Sequence, residues 1–526
     1  MKSRVLFRQA QSSYVNILIE KNIIKAVFFL FAAVCFAAPL SIVLFDIVHY
    51  IITHPECLLY FITQSFFKKI CNSFLLSAAA AGSSLILGAV FSYLFFCLKI
   101  SWHRLGMLFI LLVIFSISPV ISLVALTRFE IFNLLPIFWQ AVIVLTFNMA
   151  PLPSIIFILT IGAMNRPSLE TAFLCAKPGS VYRHIFMPQL FFPCTVCGLI
   201  LFMLVFTHQE VPSFLGYRTY AEEFLSRIVV MTNLQEASAT ALPFLLLGCL
   251  VLGLLTWLAA KTHLYFLLDQ TCKPMSFTLP INRKIFLAGR IAAALALAGI
   301  LIKLYLHIDT ASIVSLCSEN IKAVQNSLLL SVVSGGAATL CAYQIYGFFR
   351  TQGAGYRVFL GTAVLLSYWL VPSSLIALGL IRFSLLVDVH SECYDVILLF
   401  LGYQTKLVPA GILIIAAMQL INREPADTVL QVLKISKYNI FTKLTIPLHW
   451  PKWLVTATLL TVFALNDLSV TVLLVPPGVE TIIVKIYNLM HYGDYSLVAF
   501  LSLTQTVLVS IIVLFTAGAI KIYDTA

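Results

Sequence analysis

The stretch Ser168–Pro188, SLETAFLCAKPGSVYRHIFMP, decides how this chain is read. It is a polar, basic island between two long apolar runs. Its pattern is a short helix, a turn, and a second short helix that ends at a proline. A second island, Asp427–Pro447, DTVLQVLKISKYNIFTKLTIP, stands at the same place in the second half of the chain. Apolar flanks of this length are membrane spans, and loops rich in Lys and Arg stay on the cytoplasmic side. Arg166, Lys177, Arg183 and His184 put the first island there; Arg423, Lys434, Lys437 and Lys443 do the same for the second. Two matching polar helix–turn–helix loops on an inner face offer a docking surface to a cytoplasmic partner.

Composition agrees with a chain embedded in a lipid bilayer. Of 526 residues, 61% are hydrophobic and only 10% charged, where a soluble domain carries about 25% charged residues. The net charge of +12 lies in inner loops that set topology, so nucleic acid is not an expected partner. The 12 cysteines form no framework, and Cys194 and Cys197 read as small packing residues within a span. No cluster of His, Cys and carboxylates has metal-ligand spacing. No HExxH or paired-acid signature points to a membrane enzyme. No G-x-x-x-x-G-K-[ST] loop occurs. The expectation is therefore no cofactor, no metal and no catalytic residue, with any ATP hydrolysis on a separate subunit.

Apolar runs of about 20 residues predict an all-α membrane protein of twelve transmembrane helices, at 26–48, 72–97, 107–126, 137–161, 189–207, 240–262, 286–306, 324–346, 358–382, 394–420, 452–475 and 496–520. The first is read as an uncleaved span behind a basic N-terminal stretch, and both termini are expected in the cytoplasm. Acidic residues such as Glu56, Glu130, Glu222, Glu223 and Glu319 fall on the outer side. Lys68 and Lys69 break this alternation, and an interfacial elbow with snorkelling lysines accommodates them.

The halves repeat. Asn72–Ser77, NSFLLS, matches Asn326–Ser331, NSLLLS; Ala81–Gly82 matches Gly335–Gly336; Pro119 matches Pro372, Pro151 matches Pro409, and Pro188 matches Pro447. Six spans per half make a parallel repeat about an axis along the membrane normal, with the solute pathway between halves. The expected organisation is a first repeat over 1–262, a cytoplasmic linker over 263–285, and a second repeat over 286–526.

The two islands resemble the EAA loops of ABC-importer permeases. In the first, Glu170, Thr171 and Ala172 stand for the acid and the two alanines, Ala176 falls at the family's glycine with Gly179 nearby to supply the turn, and Pro188 closes the loop. In the second, Thr428, Val429 and Leu430 stand for the triplet, Lys434 for the glycine, and Pro447 for the closing proline. Each loop lies between the fourth and fifth expected span of its half, where the family has it. The stretch Leu465–Ala499 is similar to the end of ferric-iron-type permeases, with His208–Ile228 as its first-half counterpart, Glu210 pairing with Asp467 and Arg227 with Lys485. The resemblance implies a permease subunit in a bacterial inner membrane. A cytoplasmic ABC ATPase dimer would dock on the two loops, and a periplasmic solute-binding protein would deliver the solute. Ferric iron is the first expectation for that solute; thiamine, a polyamine or a phosphonate-type anion remains open.

Charges inside spans carry the remaining expectations. Lys406 lies mid-span three residues before Pro409, and Asn148 holds the matching place before Pro151. A buried lysine is costly and faces a cavity or a partner, so it either lines the path or is paired within the bundle. Glu210 and Asp467 are mirrored acids, read either as a gate or cation contact or as solvated span ends. The rival from another class is a gradient-driven secondary transporter of the major-facilitator type. The loop Leu98–Met107, LKISWHRLGM, lacks the acid such proteins carry there.

Overall fold

The computed structural model describes residues 33–96, 117–127, 129–163, 171–172, 174–230, 234–261, 299, 302, 305–306, 313–351, 371–387, 391–421, 446–492 and 495–525. Among them the protein is helical throughout, without strands. In chain order the helices are α1 (Ala38–Thr53), α2 (Gln64–Phe96), α3 (Pro119–Leu126), α4 (Glu130–Asn133), α5 (Ile137–Met149), α6 (Pro151–Ala163), α7 (Pro178–Val181), α8 (Met187–Phe206), α9 (Glu210–Leu215), α10 (Tyr220–Val230), α11 (Leu234–Ala239) and α12 (Leu242–Lys261). The second half holds α13 (Ile313–Thr351), α14 (Ser373–Val387), α15 (Glu392–Ile421), α16 (Ile446–Asn466), α17 (Leu468–Leu474), α18 (Ile482–Tyr492) and α19 (Tyr495–Thr525).

Among the described residues eight helices are long and apolar enough to cross a membrane, or nine if the bent pair α16–α17 is one span. Their outward side chains are apolar, as Ile52, Ile86, Leu246, Leu329 and Phe515 show. Nine of the expected spans coincide with these helices. Of the other expected spans, 286–306 falls largely and 107–126 and 358–382 about half outside the described residues, and the linker 263–285 and all of the second island but Ile446 and Pro447 lie outside them.

Span 452–475 is not straight. It turns through 58° at Asp467, because Asp467 leaves the helical region (φ −79, ψ 99) and its carboxylate accepts from Val470 N, opening a new helix. An aspartate at such a place supplies the cap that an interrupted helix needs.

Lipid supplies no hydrogen bonds, so buried polar groups must find partners within the protein. Ser73 and Ser327 show how. Ser73 Oγ accepts from Tyr220 N at 2.8 Å, while Asn72 Nδ2 donates to Arg218 O at 3.0 Å. Ser327 Oγ accepts from Ile482 N at 2.8 Å, while Asn326 Nδ2 donates to Glu480 O at 3.2 Å. Ser77 and Ser331 each donate back to the carbonyl one turn earlier. Thus the NSxLLS hexapeptide of each half pins the start of an eleven-residue helix, α10 or α18. Just before each pinned helix, Gly216 (φ 69) and Gly478 (φ 85) make the left-handed turn that a side chain would disfavour.

The halves interlock. Helix α1 crosses α14 so closely that a Cβ on Gly379 would lie 2.5 Å from the Pro39 carbonyl oxygen. Asp46 on α1 accepts from Arg382 on α14 at 2.6 and 3.0 Å. Leu375 and Leu378 of α14 join Tyr220, Phe224 and Phe244 of the first half in one buried cluster. Reciprocally, Ile117, Val120 and Ile121 around α3 are buried with Ile482, Ile486 and Val498 of the second half. Within the halves, α2 packs against α6 and α8, as α13 packs against α15 and α16. Gly335 on α13 sits against the backbone of Thr461, and only a residue without a side chain fits there.

Candidate functional site

Where the halves meet, α9 faces the α16–α17 bend. Gln209 Nε2 donates to Ser469 Oγ at 3.2 Å, and Ser469 Oγ donates to Glu210 Oε1 at 3.4 Å. Gln209 is 3% exposed and Glu210 6%. Glu210 is thus a buried carboxylate at the junction, which removes its reading as a solvated span end. Asp467 lies nearby, half-buried and engaged as the cap of α17. His208 Nε2 is buried without a partner. Phe214 on α9 meets the Tyr487 ring edge-on at 5.4 Å, closing one side of the junction.

Glu210 lies in the field of Asp467 at this junction. Pro188 and Pro447 are 259 residues apart. The packing keeps that spacing: Ala81 packs against Leu201 and Phe202, and its counterpart Gly335 against Thr461. Carried forward, that spacing sets Glu210 against Ser469, whereas the starts of the two short helices, capped at Gln209 and Asp467, are 258 residues apart. Glu210 and Ser469 touch across the junction. Arg227 and Lys485 are not equivalent. Beyond the turn glycines the spacing is 262, so Lys485 falls opposite Glu223.

Lys406 and Asn148 do occupy equivalent places. Asn148 Nδ2 donates to Ile117 O, and Lys406 Nζ donates to Val371 O. Each tethers the residue just before the short helix that reaches into the other half. Asn148 is buried and Lys406 half-buried. Of the two readings, pairing within the bundle is the one these contacts describe. Beside Lys406, Tyr403 and Thr471 share a hydrogen bond of 2.7 Å between α15 and α17.

At the end of the bundle where α1 stops and α2 starts, Glu223 gathers three partners. Lys69 donates at 2.7 Å, Arg227 at 3.0 Å and the Tyr60 hydroxyl at 3.3 Å. Arg227 also lies over the Tyr60 ring at 4.0 Å, a cation–π contact. Burial works to raise the Glu223 pKa, but the bonds from Lys69 and Arg227 outweigh it and hold it below the ordinary glutamate range. Burial pushes the Tyr60 hydroxyl up to about 12, so it remains a donor. This network gives Lys69 an acidic partner, Glu223.

The first polar island is described from Thr171 onward except at one position; Glu170 lies outside the described residues. Thr171, Ala172, Leu174 and Cys175 are helical, and the turn falls at Ala176 and Lys177. Pro178 then opens a helix, and Gly179 lies inside it with no left-handed backbone. The expectation that Gly179 makes the turn is therefore corrected. A proline preset for the first turn of a helix ends the connection instead. From Pro178 the chain is helical without interruption through a π-helical stretch, Tyr182–Phe186, past Pro188 to Phe206. Leu174 is 87% exposed. In the second island Thr428, Leu430 and Lys434 lie outside the described residues, and Pro447 stands in the first turn of α16.

Among the described residues no three His, Cys, Asp or Glu side chains come together as a metal site. Sequence reasoning missed Gln209 and Ser469, which carry no charge and match no motif. It quoted the NSxLLS repeat without its role; the duplication of that hexapeptide was the signal. Comparison of the chain with protein-family models, curated proteins and solved structures finds no match.

Proposed function

We propose that this chain is the membrane permease subunit of a bacterial ABC importer, built as two parallel six-span halves around a pathway on their two-fold axis. The observation that carries the reading is the uninterrupted helix from Pro178 to Phe206. It links an exposed polar loop to the buried junction at Gln209 and Glu210. A partner pushing on the loop moves this helix as a rigid rod, and the rod ends at the contact between halves. Leu174 supplies an exposed apolar knob on that loop, suited to a groove on an ATPase. A two-fold ATPase dimer presents two grooves, and the island 427–447 is the proposed second contact, with Thr428 and Leu430 in the triplet's place and Lys434 in that of the turn glycine. A periplasmic binding protein would deliver the solute at the opposite end, near the Tyr60–Glu223 network. In this reading the chain itself hydrolyses nothing.

Ferric iron is the substrate that the resemblance implies. Two acids at the junction are fewer than the ligands a bare hard cation takes, so iron would cross with ligands of its own.

The test is to purify the protein from its source membranes and ask whether an ATPase copurifies. Leu174→Asp should abolish that association while leaving the amount of protein in the membrane unchanged. Retention of the ATPase by Leu174→Asp would overturn the docking role. The buried Glu210 carboxylate favours a second reading, a gradient-driven transporter, since such carboxylates carry protons in pumps. Transport abolished by a protonophore but indifferent to ATP depletion would establish it instead.

A further inference from the structure

Lys68 and Lys69 part company in the structure. Lys69 donates to Glu223, whereas Lys68 is exposed and has no ion-pair or hydrogen-bond partner among the described residues. Lys68 stands one turn before Asn72 on α2, and the repeat that carries Asn72 to Asn326 carries Lys68 to Lys322 on α13. Lys322 is likewise exposed and without such a partner among the described residues. Each lysine follows an exposed apolar residue: Phe67 is 67% exposed and Ile321 53%. Helix α2 has 33 residues and α13 has 39, so each is about 50 Å long or more at about 1.5 Å per residue. A hydrocarbon core of about 30 Å cannot contain them, and the turn before each NSxLLS hexapeptide falls at the level of lipid headgroups. An exposed apolar side chain beside an exposed cation suits that boundary between acyl chains and phosphates.

The two ends differ in what surrounds the lysine. Asn72 Nδ2 donates to the carbonyl of Arg218, and Asn326 Nδ2 to that of Glu480. The exposed residue brought beside the lysine's helix is thus a cation in the first half and an acid in the second. Glu223 is shared by Lys69 and Arg227, whereas Glu480 pairs with Lys485, and Glu319 precedes Lys322 by three residues. Over 55–72 and 217–227 four basic residues meet three acids; over 313–326 and 479–485 two meet two, so the first end alone keeps a positive excess.

We propose that Lys68 and Arg218, with Phe67 beside them, bind an anionic phospholipid at the end of the bundle where α2 starts, and that the equivalent end of α13 does not. The phosphate takes the two cations, and an acyl chain runs along Phe67. Leu59 on the 3₁₀ segment Pro55–Ile62 and Ile52 at the end of α1, 64% and 74% exposed, continue that apolar surface. A free phosphate would use the cations but leave Phe67 unused. A zwitterionic lipid carries its own cation and gains less from the positive excess. At the other end the lysine reaches the headgroups but its acids cancel the attraction. The inference needs a bilayer around the helices but not the permease reading.

The purified full chain in a neutral detergent would be titrated with phosphatidylglycerol, phosphatidylcholine and inorganic phosphate, and the bound lipids counted by native mass spectrometry. Phosphatidylglycerol should be retained in preference to phosphatidylcholine, and inorganic phosphate should not displace it. Lys68→Gln should raise the Kd of the tightest phosphatidylglycerol by about fivefold, the effect of one basic residue at a lipid surface. Lys322→Gln should leave that Kd unchanged, and Lys68→Arg, which keeps the charge, should bind as the parent does. Lys68 is exposed, so lipid-free Lys68→Gln should melt with the parent, which separates lost binding from lost folding. Glu480→Arg gives the second end the cation that the first has, and should add a second tight lipid. Equal binding of the two lipids, equal losses in Lys68→Gln and Lys322→Gln, or no loss in either would each overturn the assignment. Displacement of the lipid by inorganic phosphate would give the cations to a free anion. An acidic protein held by the parent and lost in Lys68→Gln, with lipid binding unchanged, would give them to that protein; either result overturns the lipid. ATPase copurification enters none of these arms, so this inference and the permease reading fail separately.

Discussion

In the first half Asn148 donates to the carbonyl of Ile117; in the second, Lys406 donates to that of Val371. The bond, its place before a proline and its task are the same, but one donor is neutral and the other charged. The same holds at α10 and α18. Both are started by a left-handed glycine and pinned by a serine, yet Glu223 stands on one where Lys485 stands on the other. Where the halves meet, Glu210 contacts Ser469. Backbone-directed bonds are thus kept in both halves, while the charges differ. The reason is geometric: two halves that interlock must match wherever backbone meets backbone, but side chains that reach the axis or the rim carry no such constraint. The asymmetry gives one half the acid and the other its hydroxyl partner.

The largest expected effect comes from breaking the link between halves. Asp46→Ala leaves Arg382 without its carboxylate in a low-dielectric setting and should cost about 3 kcal/mol or more. Yield of monodisperse protein after solubilisation would measure it. The exchange Asp46→Arg with Arg382→Asp should recover much of the loss if the pair, rather than either residue alone, holds α1 to α14.

Next is a steric comparison within one helix. Gly335→Leu drives a side chain into the Thr461 backbone, whereas Gly336→Leu enters open space. Overpacking costs about 1–3 kcal/mol, so the first variant should melt well below the second. Equal melting would mean that α13 and α16 do not meet at Gly335.

Ser73→Ala and Ser327→Ala test the shared bond. Each leaves a backbone N–H unsatisfied, at a cost of about 1–2 kcal/mol. The two losses should agree, because the two bonds are the same. A large loss in one half alone would show that the repeat is no longer mechanically equivalent.

The smallest effect is electrostatic and belongs to one half. Glu223 titrates below its unfolded value because Lys69 and Arg227 hold it ionised. Its contribution is present above the unfolded glutamate pKa and is lost as pH falls through the lower folded value. Melting measured downward from pH 5 should therefore decline more steeply in the parent than in Glu223→Gln, by under about 1 kcal/mol. Lys485→Gln, at the equivalent place, should leave that acid limb unchanged.

Much of the helical layout was legible from apolar runs alone, and the hexapeptide repeat marked the two places where each half is pinned. The site was less legible. Glu210 and Asp467 are visible in the sequence as acids near span ends, but which residues of the other half they meet is not. Prolines and glycines anchor an alignment, and between Pro188 and Gly216 the two halves differ in length from the stretch between Pro447 and Gly478. Ser469 and Gln209 gave no signal, since a neutral polar residue near a span end looks the same whether it faces a partner or water.

The sequence by itself determined the positions of nine long apolar helices among the described residues and the polar stretch 168–188, because each of these follows from local hydrophobicity, charge and proline placement. The tertiary structure decided that the helix over 452–475 bends at Asp467, that α1 belongs against α14, and that Glu210 meets Ser469. These are contacts between residues hundreds of positions apart. In a bilayer every long helix is apolar on its lipid face, so hydrophobicity cannot say which helices adjoin; close-packed small residues and buried hydrogen bonds decide that, and they exist only once the chain has folded.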